Sequence, residues 1–475
     1  MTRERLPIEE PLLTAIGRTA DAEAIAVYVV GGYVRDRFLG KHAQDIDVVV
    51  LGNGVDFAAR MAKLWKSSNL VVYERFGTAM LQLPSHKIEF VGARKESYNR
   101  ESRKPIVDHG TLQDDLSRRD FTINAIAASL NRDSFGFIED PFDGRGDLKR
   151  KRLKTPLDPE KTFDDDPLRI LRAVRFSSQL TFEIDPNVVE AGRAMRERLR
   201  IVSQERITDE FLKIIASPRP SVGLQAAYDM GLLSIVFPEL ESLAGVDQRK
   251  EFHHKDVFRH TLMVLDNLSE TTDSVWLRIA GLLHDIAKPR TKSFKEGTGW
   301  TFHGHEELGA RMVRPIFRRM RLPMEHVPYV EKLVRLHLRP MALVDSVVTD
   351  SAVRRLMFDA GNGVDDLMAL CRADITSKNP KLVRQVKKNY ELVIEKMKEV
   401  EEKDRIRNWQ PPLRGEEIME LCGLEPGKLV GILKGRITDA ILDGVIPNEH
   451  DAAKGYLLKI KDTEMQRYAE NSASA

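Results

Sequence analysis

From Ala24 to Val50 the chain runs through a short apolar stretch (AIAVYVV), a glycine pair, the helically spaced YVRDRFL and a β-branched stretch (IDVVV), which predicts strand, turn, helix, strand. Further strands are predicted at LVVYE, TAMLQL and KIEFVGA, and Gly and Asp residues over Asp140 to Leu148 mark a turn or hinge. Beyond it the β pattern fades. PLRILRAVRF, ITDEFLKIIA and SVWLRIAGLLHDIAK carry helical periodicity interrupted by Pro and Gly, so an α/β segment of about 145 residues precedes a mostly helical remainder. The charged stretch VKKNYELVIEKMKEVEEKDRIR predicts a solvated helix, and no repeat of fixed period occurs.

Composition narrows this picture. The 475 residues are 42% hydrophobic, ordinary for roughly three globular domains. No apolar run approaches the ~20 residues of a membrane span, and Met1 to Glu10 has no apolar core of a signal peptide, so a soluble, cytoplasmic protein is expected. Two cysteines, Cys371 and Cys422, supply neither a disulfide framework nor a Cys-based zinc site. A net charge of +2 means that any nucleic acid would be held by local basic patches. Lys149, Arg150, Lys151, Arg152 and Lys154 form one such patch, equally readable as solubilising surface.

Three strings carry chemistry. In GGYVRDRFLGKHAQDID, Gly31 and Gly32 fall at a strand-to-helix turn able to hold a phosphate, and Arg35 follows one turn later. Asp45 and Asp47, two residues apart on the next strand, project from one face and suit Mg²⁺; Glu89 in KIEFVGA is the candidate third acid. DDLSRRDFTINAIA puts Arg118, Arg119 and Asp120 just before a predicted amphipathic helix, as cations near phosphate and an acid near a ribose hydroxyl. In DDDPLRILRAVRF, Asp166 and Arg169 are three apart, with Arg172 and Arg175 on following turns of the same face. Asp166 would accept from the exocyclic amine of cytosine or adenine while Arg169 donates to a ring acceptor, a pattern guanine and uracil do not match. Taken singly, each string also reads as an ordinary strand end, helix-start charge cluster or ion-paired helix face.

These strings, in this order and spacing over Val27 to Gly223, resemble the class II tRNA nucleotidyltransferases (CCA-adding enzymes) and the related bacterial poly(A) polymerases. The resemblance implies metal binding by Asp45 and Asp47, triphosphate binding by Gly32, Arg35 and Arg119, and a ribose near Asp120 and Asn124. Asp166 and Arg169, supported by Arg172 and Arg175, would be the amino-acid template for CTP and then ATP. Asp165 stands where the family usually has Glu. The segment from Arg94 to Arg118 matches the flexible loop used in switching from C to A addition, around Tyr98 to Pro105.

Eight of the 12 histidines lie between His253 and His337. His260, His284 with Asp285, His305 and His337 sit at helical spacing with apolar residues, and with Asp374 they form a candidate metal-binding set, although any one alone reads as a core histidine. HTLMVLDNL, GLLHDIAKP and FHGHEELGA resemble an HD phosphohydrolase domain over Asp247 to Thr376, which implies His260, the pair His284 and Asp285, His305, His337 and Asp374 as ligands for Mn²⁺, Fe or Ni²⁺. His253, His254, His303 and His326 are left as structural or supporting residues. The family also has a helical segment like Leu413 to Asn448 after its HD domain.

The expected architecture is an α/β nucleotidyltransferase head of polymerase-β type (residues 1–145), an all-α neck that reads the base and binds RNA (146–240), an all-α HD domain (241–380) and a helical tail (381–475). The expected activity is Mg²⁺-dependent, template-independent addition of CCA from CTP and ATP to tRNA 3′ ends. Poly(A) synthesis, addition of only A or only CC, and an HD phosphohydrolase with a binding-only head are the alternatives.

Overall fold

The computed structural model describes residues 4–43, 45–74, 77–99, 102–246, 256–297, 299–344, 349–377, 379–404 and 411–473. It divides into two compact units, Met1–Glu241 and Ser242–Ala475.

In the first unit, seven strands form one mixed sheet: β1 (Val27–Val30), β2 (Asp45–Val50), β3 (Leu70–Tyr73), β4 (Thr78–Gln82), β5 (Lys87–Gly92), β8 (Ala127–Ser129) and β9 (Ile138–Glu139). Their order is β3-β4-β5-β2-β1-β8-β9; β2 and β5 run parallel, and every other pair is antiparallel. β6 (Arg94–Asn99) and β7 (Ser102–His109) pair as a separate hairpin, so the segment expected as a loop has strand backbone on both sides of residues 100–101, which lie outside the described residues. The helices α1 (Pro11–Ala22), α2 (Gly32–Phe38), α3 (Gly54–Leu64) and α4 (Leu112–Ser117) complete the head. On β2, Asp45 is exposed, Ile46 buried, Asp47 half-buried and Val48 buried in period-2 alternation, and from Val48 to Val50 the strand is covered on both faces, so the acids sit at its open end.

Two local expectations fail. After Asp120 there is no amphipathic helix: a single 3₁₀ turn, Thr122–Asn124, leads into β8. Ala127, Ala128 and Ser129 are all buried, and a short apolar run covered on both faces has no periodicity to separate strand from helix. The expected turn at Asp140 to Leu148 contains α5 (Gly144–Arg150), because Asp140 accepts from the backbone N–H groups of Gly144 at 2.7 Å and Arg145 at 3.0 Å and so stabilises a helix start.

The neck follows as α6 (Pro159–Asp165), α7 (Leu168–Leu180), α8 (Pro186–Ala194) and α9 (Gln204–Ile215). Asp158 caps α6. Proline at 167 disfavours helical backbone at the preceding residue, and Asp166 is accordingly extended, with φ −145° and ψ 101°.

Among the described residues, the second unit is helical except for a ribbon of Ser293–Lys295 and Gly299–Thr301. The charged stretch lies in the helix Pro380–Asp404 as far as Asp404, its last three residues falling outside the described residues, but it is not solvated all round: Tyr390, Val393, Met397 and Val400, spaced three and four apart, are buried. Three further helices, Gly415–Cys422, Lys428–Leu442 and His450–Ala473, pack around Leu413, Ile418, Leu433, Ile437 and Leu457.

Candidate functional sites

The parallel register places Asp47 beside Glu89 and Asp45 beside Lys87, so Asp45, Asp47 and Glu89 share one face of the sheet. They line a cleft of about 710 Å³ together with Gly31, Gly32, Arg35, Arg119, Asp120, Asn124, Asp166, Arg169, Arg172 and Arg175. Every residue proposed from the head and neck strings therefore faces one cavity. Burial pushes the carboxyl of Asp47 upward, and its acidic neighbours Asp45 and Asp115 add to this against the Arg119 guanidinium. Divalent cations fit such a group of hard oxygen donors.

Gly31 has φ +70°, and a Cβ there would lie 2.8 Å from Arg119 Nη1 and 3.4 Å from Asp47 Oδ2. Bare backbone is thus wedged between the cation and the carboxylate. Arg119 is held from behind by Asp115, a residue sequence reasoning missed. Asp115 is fully buried; its Oδ2 accepts from Arg119 Nη2 and Nε at 3.1 and 3.2 Å, and its Oδ1 binds Arg118. Thr111 starts α4 with a reciprocal cap to Asp114, and Asp115 follows in the first turn.

Asp120 is held by three protein donors at the cleft wall. It accepts from Asn124 Nδ2 at 3.0 Å, from the Phe121 N–H at 2.8 Å and from Arg172 Nε at 2.7 Å, while Asn124 Oδ1 accepts from Arg35 Nη1 at 2.8 Å. Although burial opposes it, Arg172 and Asn124 hold the Asp120 carboxyl far below the usual range. The chain Arg35, Asn124, Asp120, Arg172 links head to neck within the cleft wall.

On α7, Arg169, Arg172, Phe176 and Gln179 recur every three or four residues along the cleft. Arg35, Arg172 and Arg175 place their guanidinium carbons 5.1, 5.5 and 4.2 Å from the Phe176 ring centroid. Asp166 Oδ1 accepts from the Leu168 N–H at 3.1 Å and Oδ2 from Arg206 at 2.8 Å; Arg169 donates to the carbonyls of Arg118 at 2.5 Å and Thr162 at 3.3 Å. Arg206, Glu210 and Lys213 come from α9, where Glu210 accepts from Arg175 at 2.9 Å. Their spacing of four and three was legible as a helix face, but nothing local says which way that face points. Of the basic run, Arg150 is tied to Asp147 at 2.8 Å and to Asp143 at 2.6 Å.

In the second unit His260 lies inside the helix Val257–Ser269, while His284, His337 and Asp374 follow the last residues of Val275–Leu283, Val327–Leu336 and Val364–Ala373, and His305 begins His305–Met320. The Nδ1 atoms of His284, His305 and His337 bond the carbonyls of Gly281, Phe302 and Val334 at 2.6, 2.7 and 2.6 Å. A carbonyl only accepts, so Nδ1 is the donor and Nε2 is turned inward, as metal ligation requires. Those three Nε2 atoms are buried without a hydrogen-bond partner. They converge on Asp285, and His260 Nε2 lies 2.8 Å from Asp374 Oδ1. Burial works against charge on His284, yet Asp285 and Asp374 lift it to about 10; burial, with His284 alongside, lowers His337 to about 4. The donor set fits a divalent metal. His253 and His254 lie outside the described residues. His326 stacks on Trp276 with centroids 3.9 Å apart.

Comparison with known proteins finds three family matches along the chain. Residues 27–154 match the poly A polymerase head domain, 181–243 the probable RNA and SrmB-binding site of polymerase A, and 257–374 the HD domain. The A-adding tRNA nucleotidyltransferase of Deinococcus radiodurans is 34% identical over 350 residues, covering 72% of this chain and 78% of that protein. The multifunctional CCA protein of Methylococcus capsulatus is 33% identical over 366 residues, covering 73% and 81%. The chain belongs to the tRNA nucleotidyltransferase and poly(A) polymerase family. Among solved structures, the Bacillus stearothermophilus CCA-adding enzyme in complex with CTP shares the fold, with a TM-score of 0.66 at 23% identity over 97% of this chain and 100% of that one.

Proposed function

We propose that this chain extends tRNA 3′ ends by C, C and A, using CTP and ATP without a nucleic-acid template. The observation that carries the reading is the single cleft, which combines three acids on one sheet face, a glycine and arginine cradle, and the Asp166 carboxylate just ahead of α7 with the Arg169 guanidinium on it. The relatives named A-adding tRNA nucleotidyltransferase and multifunctional CCA protein favour addition to tRNA ends over poly(A) synthesis.

Asp45, Asp47 and Glu89 would hold Mg²⁺, which supplies charge neutralisation at the triphosphate and lowers the pKa of the attacking 3′-hydroxyl. The hydroxyl gives up its proton to solvent as that oxygen forms a bond to the α-phosphorus, the bond from the α-phosphorus to the bridging oxygen breaks, and pyrophosphate leaves. Gly31, Gly32, Arg35 and Arg119 hold the phosphates; Asp115 aims Arg119. Asp120 and Asn124 orient Arg35 and Arg172 and flank the ribose. Asp166 accepts from the exocyclic amine and Arg169 donates to the ring. A base with the reverse pattern leaves both groups unpaired, which supports discrimination by hydrogen bonding. Arg172 and Arg175 support that wall. Acting on tRNA, the enzyme would work in the cytoplasm; no helix among the described residues is long and apolar enough to cross a membrane.

The histidine and aspartate cluster favours a second activity, metal-dependent hydrolysis of a small phosphate ester or phosphodiester such as a 2′,3′-cyclic end, with Mn²⁺, Fe or Ni²⁺ as the ion.

The test supplies purified protein and Mg²⁺ with tRNA transcripts ending before CCA, after C and after CC, with CTP, ATP or both. Growth that stops at CCA is expected. An unlimited A ladder would mean poly(A) synthesis, and products limited to A or CC a partial enzyme. Asp47→Ala should abolish incorporation and leave hydrolysis in the HD domain intact.

A further inference from the structure

On the ribbon of Ser293–Lys295 and Gly299–Thr301, Phe294 stands directly opposite Trp300, and Ser293 opposite Thr301. Strand alternation sends these two pairs to opposite faces. Thr301 is buried, so its face is turned to the body of the unit, and the other face carries Phe294 and Trp300 outward, 63% and 40% exposed. Their ring centroids are 5.3 Å apart with the planes at 73°. Two large rings side by side in solvent forgo the burial that such side chains ordinarily gain, and a contiguous exposed apolar patch is the mark of a contact surface.

Cations collect around the rings. The Lys292 ammonium lies 4.4 Å from the Trp300 ring centroid, and Arg290 and Lys295 are exposed. From Lys288 to Trp300 the chain carries four cations and a single acid, Glu296. The inner end of the ribbon is fixed to the helices. The Thr301 hydroxyl donates to the Ser293 carbonyl at 3.1 Å, Lys288 Nζ lies 5.7 Å from the Phe302 ring centroid, and the Phe302 carbonyl accepts from His305 Nδ1 at 2.7 Å. The outward rings therefore stand on an anchored support, which limits the entropy lost when something stacks on them.

We propose that this ribbon is a base-stacking platform for single-stranded RNA, with Phe294 and Trp300 taking the bases and Arg290, Lys292 and Lys295 the backbone phosphates. It is a binding site apart from the head cleft. Every base has a π face, so stacking accepts any sequence, and aromatic rings interleaved with cations match a polyanion that carries a flat apolar group at each repeat. A second copy of the chain does not match, because two such ribbons face to face would bring like charges together. Double-stranded RNA does not match either, because its base faces are already stacked within the helix.

The experiment uses the full chain and a six-nucleotide single-stranded RNA carrying one 4-thiouridine. The RNA is photo-cross-linked over a range of protein concentrations, and the attached peptides are mapped. Cross-links within residues 290–302 are expected. Trp300→Ala leaves Phe294 in place to react and should raise the half-saturating concentration for the ribbon about tenfold, while Trp300→Tyr should keep it near the wild-type value. Lys292→Ala with Lys295→Ala should flatten the slope of log affinity against log salt by about 1.4. Both rings are at the surface, so the melting temperature and addition of CCA to tRNA should stay unchanged in Trp300→Ala. Cross-links confined to the head and neck would overturn the platform. So would a half-saturation indifferent to Trp300→Ala, or an abasic ribose-phosphate chain that competes as well as the RNA. Anionic phosphatidylglycerol vesicles that bind through Phe294 and Trp300 where the RNA does not would make the ribbon a membrane contact and overturn the proposal as well.

Discussion

Replacing Asp115 by Asn removes one negative charge from the interior while keeping side-chain shape. Asp115 is fully buried and serves two guanidinium groups, those of Arg118 and Arg119, whose side chains are 18% and 16% exposed. Removing one partner of a buried ion pair costs about 3–5 kcal/mol. Here both arginines retain some contact with water and Asn retains one acceptor, so the cost falls to or just below the low end of that range, about 2–3 kcal/mol. For a unit of this size that corresponds to a fall in Tm of roughly 5–10 °C. The sign of the pH dependence follows from the same contacts. Burial opposes ionisation, but Arg119 and Arg118 outweigh it and hold the Asp115 carboxyl below its ordinary value. Its contribution is thus complete above the unfolded-state pKa of about 3.9 and disappears as pH falls through the lower folded-state value. The difference in unfolding free energy between the wild type and Asp115→Asn should be constant from pH 8 to 5 and shrink below about pH 4. Because Asp115 acts through Arg119 on the triphosphate common to both substrates, KM for CTP and for ATP should rise together, by about tenfold for each 1.4 kcal/mol of phosphate binding lost. Denaturant titration across pH and single-nucleotide extension of tRNA provide the two readouts. Unchanged stability with unchanged KM would refute the argument, and a change in KM for one nucleotide alone would refute the phosphate assignment.

Gly31→Ala forces a Cβ to within 2.8 Å of Arg119 Nη1 at φ +70°; stability should fall by about 1–2 kcal/mol and extension by more than stability explains, measured by melting and primer extension on the same preparation. Arg206→Ala frees the Asp166 oxygen that it binds at 2.8 Å, so misincorporation of UTP and GTP should rise about tenfold with little change in KM for the triphosphate moiety, checked by competition between nucleotides. Adding Mn²⁺ at 100 times its Kd should stabilise the HD-containing unit by about 2.7 kcal/mol and raise its melting transition. His284→Ala, which removes a buried ligand, should lose most of that shift, and an undiminished shift would exclude the cluster as the stabilised site.

Local sequence determined much of this protein. Period-2 alternation at Asp45, Ile46 and Asp47 settles which side chains share a face, and the three-residue spacing from Arg169 to Arg175 settles a helix stripe, because both follow from backbone geometry over a few residues. Histidines at helix ends were visible for the same reason. Tertiary structure decided the rest. Glu89 joins Asp47 only because β2 and β5 pair in parallel register, Asp115 earns its role only by packing beneath two arginines, and Arg206 meets Asp166 only where α9 crosses the break before α7. The buried strand Ala127–Ser129 and the covered face of Pro380–Asp404 were misread because neighbours distant in sequence decide their burial. The meeting of the histidines at Asp285 has no local signature either: it arises where five chain segments meet, and a linear pattern carries no information about which oxygen faces which ring.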